Sequence, residues 1–297
     1  MKLTYQVTSS DNFANVKEIL KTKFQISDRL LVKLKNQKKI FVNSNIVSVN
    51  DKIKSADIIE IDLNFEENNS NIPATKMDLD IIYEDEAYLV INKPAGVPIH
   101  PSMDHYEDSI SNGVKYYFDS INLRKKIRPV NRLDKNTSGI VIFAKNEYTQ
   151  ECLVRQMKDN TFVKEYIAIC DGIFDQKQGT INAPIARKEN SIIERCVNEI
   201  GSPSMTHYEV LKEITSNDTS YSVVKCKLET GRTHQIRVHM QHIGHPLLGD
   251  TLYGSASSFI NRQALHSYKT RFIHPITKET VTYIANLPED MKKLYNI

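Results

Sequence analysis

Residues Arg132 to Ala144 read R-L-D-K-N-T-S-G-I-V-I-F-A, a polar loop that runs directly into a strand. From Gly139 onward the residues are almost all apolar, which is typical of a strand at the centre of a sheet. In the loop, Asp134 lies between an arginine and a lysine. Loops held by a rigid strand often carry reactive groups, although a single aspartate there can equally be a turn residue.

Strands and helices alternate on both sides of this stretch. The apolar patterns and turn signals predict a helix from Asp108 to about Ile127, a helix capped by Asn146, and strands at Ile81–Tyr83, Tyr88–Ile91, Phe162–Cys170, Met205–Ile214 and Tyr221–Glu229. We therefore expect an α+β fold, with a mixed, largely antiparallel sheet and flanking helices.

A second polar motif, T-G-R-T-H-Q-I-R-V-H, occupies residues 230–239. Thr233 is a candidate N-cap for a helix that ends at Gly244 and buries an apolar stripe. Arg237 would lie beside that stripe. Because a buried guanidinium needs an opposite charge, we expect a carboxylate partner, and Asp134 is the candidate.

Histidines at positions 234, 239, 242 and 245 suggest a metal site as an alternative. Their spacing lacks the H-E-x-x-H pattern, and no acidic residue lies between the first and the last of them. A polar helix face or an RNA contact accounts for them as well. We expect no metal site.

The basic residues concentrate near the N-terminus, where residues 1–62 hold 11 lysines and arginines against 7 acidic residues. The pattern there predicts two short helices, the second capped by Ser27, followed by short strands at Ile40–Val42, Ile46–Val49 and Ile58–Ile61. The polar stretch from Phe65 to Thr75 has the composition of a linker. We expect a small α/β domain at 1–66, a linker at 67–80 and a larger domain at 81–297.

The N-terminal order of elements, with S-D-R-L-L at 27–31 and F-V-N at 41–43, resembles the small RNA-binding domain of the ribosomal protein S-four type. The usual Asn-Gly turn of that domain is Asn43-Ser44 here. The resemblance implies an RNA-facing surface on the basic helix pair. The residues we assign to it are Arg29, Lys33, Lys35, Lys38 and Lys39.

The larger part of the chain resembles the RluA-type pseudouridine synthases. Three ordered motifs carry the resemblance: R-L-D-K-N-T-S-G at 132–139, K-E-Y-I-A-I-C-D-G at 164–172, and T-G-R-T-H-Q-I-R-V-H followed by G-H-P-L-L-G-D at 244–250. The loop N-K-P-A-G-V-P-I-H-P-S at 92–102 agrees. The family usually has histidine where this chain has Asn131.

This resemblance implies conversion of uridine in RNA to pseudouridine without a cofactor. One carboxylate, Asp134, would attack the sugar or the base, and the sequence leaves that choice open. The target base must be flipped out of its stack, with Arg132 inserted in its place and Tyr166 stacked on the uracil, where it would also take the carbon-five proton. Arg237 is the charge partner already expected for Asp134, and Arg232 would contact the phosphate backbone. Ile236 is either a residue of the uracil pocket or a core residue.

Composition is that of an ordinary globular chain, with 40% hydrophobic and 25% charged residues among 297. No apolar segment reaches the roughly 18 residues of a spanning helix, and the first residues lack a leader pattern, so we expect a cytoplasmic protein without membrane contact. The four cysteines are far apart and are expected to be reduced. We expect a monomer.

Two other classes of function remain open at this stage. The chain could be an RNA-binding or ribosome-assembly protein that keeps the fold without the chemistry, or a metal-dependent hydrolase built on the histidines. The RNA substrate is also open, because large-subunit ribosomal RNA and transfer RNA both lie within the range that the resemblance implies.

Overall fold

The computed structural model describes residues 1–69, 71–216 and 219–295. At the N-terminus, an antiparallel sheet with the strand order β1-β4-β2-β3 packs with two helices. These elements are β1 (Lys2–Gln6), α1 (Val16–Thr22), α2 (Asp28–Asn36), β2 (Ile40–Val42), β3 (Asn45–Ile46) and β4 (Ile58–Asp62). The predicted helix pair is present, and β1 is an additional strand that the sequence pattern did not reveal.

The predicted strand from Ile46 to Val49 is wrong in its extent, since β3 is only two residues long. The reason lies in the backbone hydrogen bonds that follow it. The carbonyls of Val49 and Asp51 accept from the N–H groups of Lys17 and Val16, at 2.8 and 3.1 Å. This backbone therefore satisfies the free N–H groups at the start of α1 instead of extending a strand ladder.

Helix α2 begins as the sequence predicts. The Ser27 hydroxyl accepts a hydrogen bond from the Leu30 N–H at 3.2 Å, the usual way in which an N-cap satisfies a free donor. The same hydroxyl donates to Glu151 at 2.6 Å. The cap therefore also connects the N-terminal region to the rest of the chain.

The larger region is built on a nine-stranded sheet of strand order β5-β6-β7-β14-β8-β13-β12-β9, with β15 paired to β14. Only β7 and β14 run parallel; the other pairs in this sheet are antiparallel. This confirms the predicted α+β fold. The elements are β5 (Ile81–Glu84), β6 (Tyr88–Lys93), α3 (Ile110–Ser120), β7 (Ser138–Ala144), α4 (Glu147–Lys158), β8 (Val163–Asp171), β9 (Gln178–Asn182), β10 (Ile185–Arg187), β11 (Arg195–Val197), β12 (Met205–Ser216), β13 (Thr219–Leu228), α5 (Gln235–His242), β14 (Leu265–Ile273), β15 (Thr280–Ile284) and α6 (Glu289–Tyr295).

The central strand β7 is buried along its whole length, as its apolar sequence predicts. It approaches β14 very closely at Gly139, which has a φ of 109°. A Cβ at this position would lie 2.3 Å from the carbonyl oxygen of Ser267. Glycine is therefore required where the loop that carries Asp134 enters the sheet.

Helix α3 is shorter than predicted. It begins after Ser109, which forms a capping box with Asn112, and ends at Ser120 rather than near Ile127. Asn122 adopts a left-handed φ of 55°, and the N–H of Leu123 returns to the carbonyl of Phe118 at 2.8 Å. This αL closure terminates the helix while satisfying one of its last carbonyls.

The stretch predicted to be an unpacked linker is packed over its described first residues. Phe65 is buried, and Glu67 forms two hydrogen bonds of 2.7 Å with Arg128. The buried Asn69 accepts from the N–H of Ile127 at 3.0 Å. The polar composition that suggested a linker therefore serves buried ion pairs and hydrogen bonds in this part.

The N-terminal region packs directly against α4. Tyr148 and Cys152 of that helix belong to the same hydrophobic cluster as the buried residues of α1 and α2. On the surface above it, Glu147 pairs with Lys33 at 3.1 Å and with Arg29 at 3.2 Å. The two regions thus share apolar surface as well as ion pairs.

All four cysteines are free, and three of them are buried. Within residues 1–69, 71–216 and 219–295, none of the helices has the length and apolar composition that crossing a bilayer requires.

Candidate active site

A cavity of about 710 Å³ opens where the loop before β7, the start of β8 and the segment from β13 into α5 meet. It brings together every site residue that the sequence assigned to the larger region. These lining residues are Arg132, Asp134, Tyr166, Arg232, Ile236 and Arg237. They come from three separate motifs, so the sheet is what assembles them.

Asp134 lies in the wall of this cavity with 26% of its side chain exposed. Arg237 donates a hydrogen bond from Nη1 to Asp134 Oδ2 at 3.0 Å, so the predicted charge pair is present. His234 lies nearby, with Nε2 3.7 Å from the same oxygen. The carboxylate is therefore held by a cation and remains accessible from the cavity.

Arg237 is itself fixed by a second carboxylate that the sequence analysis missed. Asp250, which is 1% exposed, accepts hydrogen bonds from Arg237 Nε at 2.7 Å and Nη2 at 2.8 Å. The guanidinium also lies over the ring of Tyr253, 5.0 Å from its centroid. This bidentate pair sets the orientation of the nitrogen that contacts Asp134. Asp250 is the last residue of the motif at 244–250, so its position in that motif could have identified it from the sequence.

Helix α5 begins later than predicted, and Thr233 is not its N-cap. His234 occupies that position with a left-handed φ of 58°, and its side chain makes no capping bond. The side chain of Gln235 closes the preceding turn instead, accepting from the Thr230 hydroxyl at 2.8 Å and from the Arg232 N–H at 3.0 Å. The imidazole of His234 is then free to contact the Tyr253 hydroxyl at 2.8 Å.

The loop that carries Asp134 is supported from below by Lys93, which sequence reasoning also missed. Its fully buried ammonium donates to the carbonyls of Pro94, Val97 and Lys135, each at 2.8 Å. Burial lowers the pKa of Lys93 to about 7. Since Lys135 directly follows Asp134, this lysine fixes the backbone beside the candidate nucleophile.

Tyr166 lies on β8 between Cys226 of β13 and Ser267 of β14, and its side chain is buried. Burial raises the pKa of Tyr166 to about 12. The phenol is therefore protonated at neutral pH, and it can accept another proton only as it loses its own. Its ring contributes to the cavity wall.

The two cavity arginines away from Asp134 have no carboxylate partner among the described residues. Arg132 is exposed, and Arg232 is exposed with a single hydrogen bond of 3.2 Å from its Nε to the Pro203 carbonyl. Ile236 is 3% exposed and packs in the hydrophobic cluster that contains Tyr166. The cavity therefore combines unpaired positive charge with an apolar floor.

Of the five basic residues assigned to the N-terminal helix pair, Lys38 and Lys39 lie beyond the end of α2 at Asn36. None of the five lines the cavity, and three are engaged in ion pairs. Lys33 contacts Glu67 at 2.7 Å, Lys39 contacts Asp62 at 2.6 Å, and Arg29 contacts Glu147. Lys35 and Lys38 are exposed and have no ion-pair partner in the part of the chain that the structure describes. Only these two offer uncommitted charge.

The four histidines that suggested a metal have separate surroundings. His239 is buried between the Thr206 hydroxyl and the Ala183 carbonyl, both at 2.9 Å, while His245 stacks on Phe174. His242 is exposed. In the residues described, no three His, Cys, Asp or Glu side chains are grouped to hold a metal ion.

Asn131, which stands where the resembled family has histidine, has a structural contact. Its side-chain nitrogen donates to the Ile140 carbonyl and its oxygen accepts from the Ile142 N–H, both at 2.9 Å. It therefore pairs with the backbone of β7 as another strand residue would. It also lines the cavity.

Comparison with known proteins agrees with this geometry. Residues 87–242 match the RNA pseudouridylate synthase family. The uncharacterized RNA pseudouridine synthase YjbO of Bacillus subtilis (strain 168) is 42% identical over 91% of this chain and 94% of its own length. Ribosomal large subunit pseudouridine synthase D of Haemophilus influenzae is 35% identical over 87% of this chain and 85% of its own.

Among solved structures, human RNA pseudouridylate synthase domain containing 1 superimposes with a TM-score of 0.58 and 26% identity, covering 75% of this chain and 96% of that one. The fold, the matched residues and the identity over most of the chain lead to one assignment. The chain belongs to the RNA pseudouridylate synthase family and is an isomerase of the RluA type.

Proposed function

We propose that the chain isomerises uridine to pseudouridine in large-subunit ribosomal RNA, with Asp134 as the nucleophile. The observation that carries this proposal is the position of the Asp134 carboxylate. It faces a cavity of about 710 Å³ while Arg237, locked by Asp250, holds one of its oxygens. A carboxylate fixed in this way is held in one orientation toward the cavity, as a covalent catalyst must be.

The reaction breaks the bond between N1 of uracil and C1′ of ribose, and forms a bond between C5 and C1′. The proton on C5 is lost and N1 gains one, so the atoms balance without a cofactor. Asp134 would hold the intermediate by a transient bond to the sugar or to the base while the uracil turns. The apolar floor of the cavity, which includes Ile236, would keep the detached base captive.

The remaining cavity residues fit the steps around this exchange. Arg132 is exposed at the cavity and could replace the target base in the RNA stack once that base flips out. Tyr166 would stack on the uracil and accept the C5 proton while releasing its own proton to solvent. Arg232 would contact the RNA phosphates.

The choice of RNA is supported by the relatives. A protein 35% identical over most of both chains is named a ribosomal large subunit pseudouridine synthase. Lys35 in α2 and Lys38 in the turn after it belong to the N-terminal region that resembles an RNA-binding domain, and they would add contacts to the RNA backbone outside the cavity. An enzyme with this substrate would work in the cytoplasm. One chain supplies all the proposed site residues, so a monomer would suffice.

Tritium release tests the reaction and the RNA class together. Transcripts of large-subunit ribosomal RNA and of transfer RNA are labelled at C5 of uridine and incubated with the wild-type chain. We expect release from the ribosomal transcript. Transcripts labelled at C6 are the control and should retain their tritium, because isomerisation leaves that hydrogen in place.

Two other outcomes would change the proposal. Release from transfer RNA alone would keep the isomerisation and replace the substrate. Binding of either RNA without any release would favour an RNA-binding protein that keeps the fold but lacks turnover.

A further inference from the structure

Lys164 is a cavity residue whose side chain has no use in the scheme above. It precedes Tyr166 by two positions on β8, and alternate residues of a strand project from the same face. Both residues line the cavity. Lys164 makes no side-chain hydrogen bond or ion pair with any residue that the structure describes.

An ammonium without a partner is costly when it is partly removed from water. Burial lowers the pKa of Lys164, and no nearby carboxylate offsets that effect. The carboxylates next to it in sequence and on the adjoining segment are occupied elsewhere. Glu165 pairs with Lys269 at 3.4 Å, and Glu229 pairs with His207 at 2.6 Å. The protein therefore leaves this cation for something outside itself.

The ammonium lies against the backbone of the motif at 230–239. A Cβ at position 231 would lie 3.4 Å from Lys164 Nζ, so Gly231 presents only backbone there. Arg232 and Lys158, both exposed, line the same cavity, and neither has a carboxylate partner among the described residues. This part of the wall therefore carries unpaired positive charge, which favours an anionic ligand.

We propose that Lys164 binds a phosphodiester group of the RNA backbone beside the flipped uridine and so positions the sugar next to Asp134. The inference rests on the proposed function for its substrate. The phosphodiester is the anionic group that every RNA nucleotide carries, and a lysine ammonium binds it as a compact point charge. Along the strand, Lys164 lies about 7 Å from Tyr166, so a base on the tyrosine leaves its backbone near the lysine.

Neutralising single phosphates of the RNA tests this contact. The probe is the shortest fragment of large-subunit ribosomal RNA that the wild-type chain binds, with one methylphosphonate linkage moved along it. We expect Lys164→Met to bind the unmodified fragment about tenfold more weakly, the loss typical of a hydrogen bond to a charged group. At one linkage, the methylphosphonate should weaken RNA binding by the wild type by a similar factor and should not change RNA binding by Lys164→Met.

Two further variants separate this contact from general effects. Lys227→Met removes a lysine from the neighbouring strand β13, where residue 227 is exposed and does not line the cavity; it should behave as wild type at every linkage. Lys164→Arg keeps the positive charge and should regain sensitivity at the critical linkage. Thermal unfolding of each variant checks that the fold is retained.

If each methylphosphonate weakened RNA binding equally in the wild type and in Lys164→Met, the proposal would be overturned. Because this scan measures binding alone, its result is independent of tritium release. A critical linkage in a chain that releases no tritium would retain the Lys164 contact and refute the reaction. If tritium is released but no linkage distinguishes the wild type from Lys164→Met, the reaction is retained and the Lys164 contact is refuted.

Discussion

Carboxylate ion pairs form two clusters in this protein, one at the junction with the N-terminal region and one at the cavity. At the junction with the N-terminal region, Glu67 accepts two hydrogen bonds from Arg128 and one from Lys33, all at 2.7 Å. At the cavity, Arg237 gives two hydrogen bonds to Asp250 and one to Asp134. Two cations therefore contact the Glu67 carboxylate in the first cluster, whereas two carboxylates contact the Arg237 guanidinium in the second.

This difference in ratio explains which carboxylate is available. Glu67 is saturated, and its side chain is 7% exposed. Asp134 is 26% exposed, and its Oδ1 makes no hydrogen bond to the described residues. An ion pair that stabilises the fold surrounds its carboxylate with donors. At the cavity, Asp250 secures the arginine, and Asp134 keeps one hydrogen bond, from Arg237, with His234 Nε2 3.7 Å from the same oxygen.

Removing the central arginine of each cluster should give the largest effects, and they should be unequal. Arg237→Met leaves the buried Asp250 carboxylate without its cation, so we expect a loss of about 3–5 kcal/mol in the free energy of unfolding and the loss of turnover. Arg128→Met should cost less and keep turnover, because Lys33 still pairs with Glu67. Urea unfolding and tritium release measure the two effects. Wild-type turnover in Arg237→Met would refute the role given to this pair.

Tyr166→Phe examines the second group open to the cavity. If the phenol accepts the C5 proton, turnover should fall about 100-fold or more while the Kd for RNA stays near that of the wild type. The ring is kept, so stacking should survive. Single-turnover tritium release and a binding titration separate the two quantities. A normal rate would reduce Tyr166 to a stacking residue.

The ion pairs of Glu67 with Arg128 and Lys33, the junction cluster, should make the free energy of unfolding depend on pH in the acid range. Pairing with Arg128 and Lys33 outweighs burial and lowers the pKa of Glu67 from 4.5 to about 2. A lowered carboxyl pKa contributes stability above the unfolded value and loses it as pH falls toward the folded one. Above pH 5, we expect the free energy of unfolding of the wild type to be about 3 kcal/mol larger than that of Glu67→Gln.

This advantage should shrink as the pH falls from about 4.5 toward 2. Urea unfolding of both proteins across that range provides the measurement, and groups other than Glu67 cancel in the difference. A difference that stays constant with pH would show that the charge of Glu67 contributes no stability.

The smallest effect is expected from the cations that the junction leaves unpaired. Replacing Lys35 and Lys38 together by Gln should weaken RNA binding and reduce the slope of log K against log salt by about 0.7 for each phosphate that is no longer neutralised. Lys39→Gln is the matched control, because Lys39 already pairs with Asp62. Binding titrations at several salt concentrations decide. An unchanged slope in the double variant would remove the helix pair from the RNA interface.

Much of the fold and part of the site were readable from the sequence. The apolar run of β7, the Ser27 cap and the need of Arg237 for a carboxylate are local signals, and each led to the observed element or contact. The helix start at Thr233 was wrong because a side chain two residues further on, that of Gln235, closes the turn. Capping residues identify a helix more reliably than its first turn.

The missed features depend on distant partners. The sequence could not predict that Lys93 holds the loop, because its hydrogen-bond acceptors are backbone carbonyls, which every residue carries. The segment after Phe65 looked like a linker because the partner of Glu67, Arg128, lies 61 residues away. Asp250 was overlooked for a related reason, since a single arginine near Asp134 already appeared to satisfy the charge balance. Pattern within one segment does not reveal such contacts.

We propose that the open carboxylate of the cavity cluster, Asp134, performs the chemistry. The most direct test of this proposal is single-turnover tritium release from C5-labelled RNA at saturating protein, comparing wild type with Asp134→Asn. The asparagine keeps the shape of the side chain, and unfolding curves check that stability is retained. We predict release by the wild type and none by Asp134→Asn on the same time scale. Release at the wild-type rate by a folded Asp134→Asn protein would contradict the account.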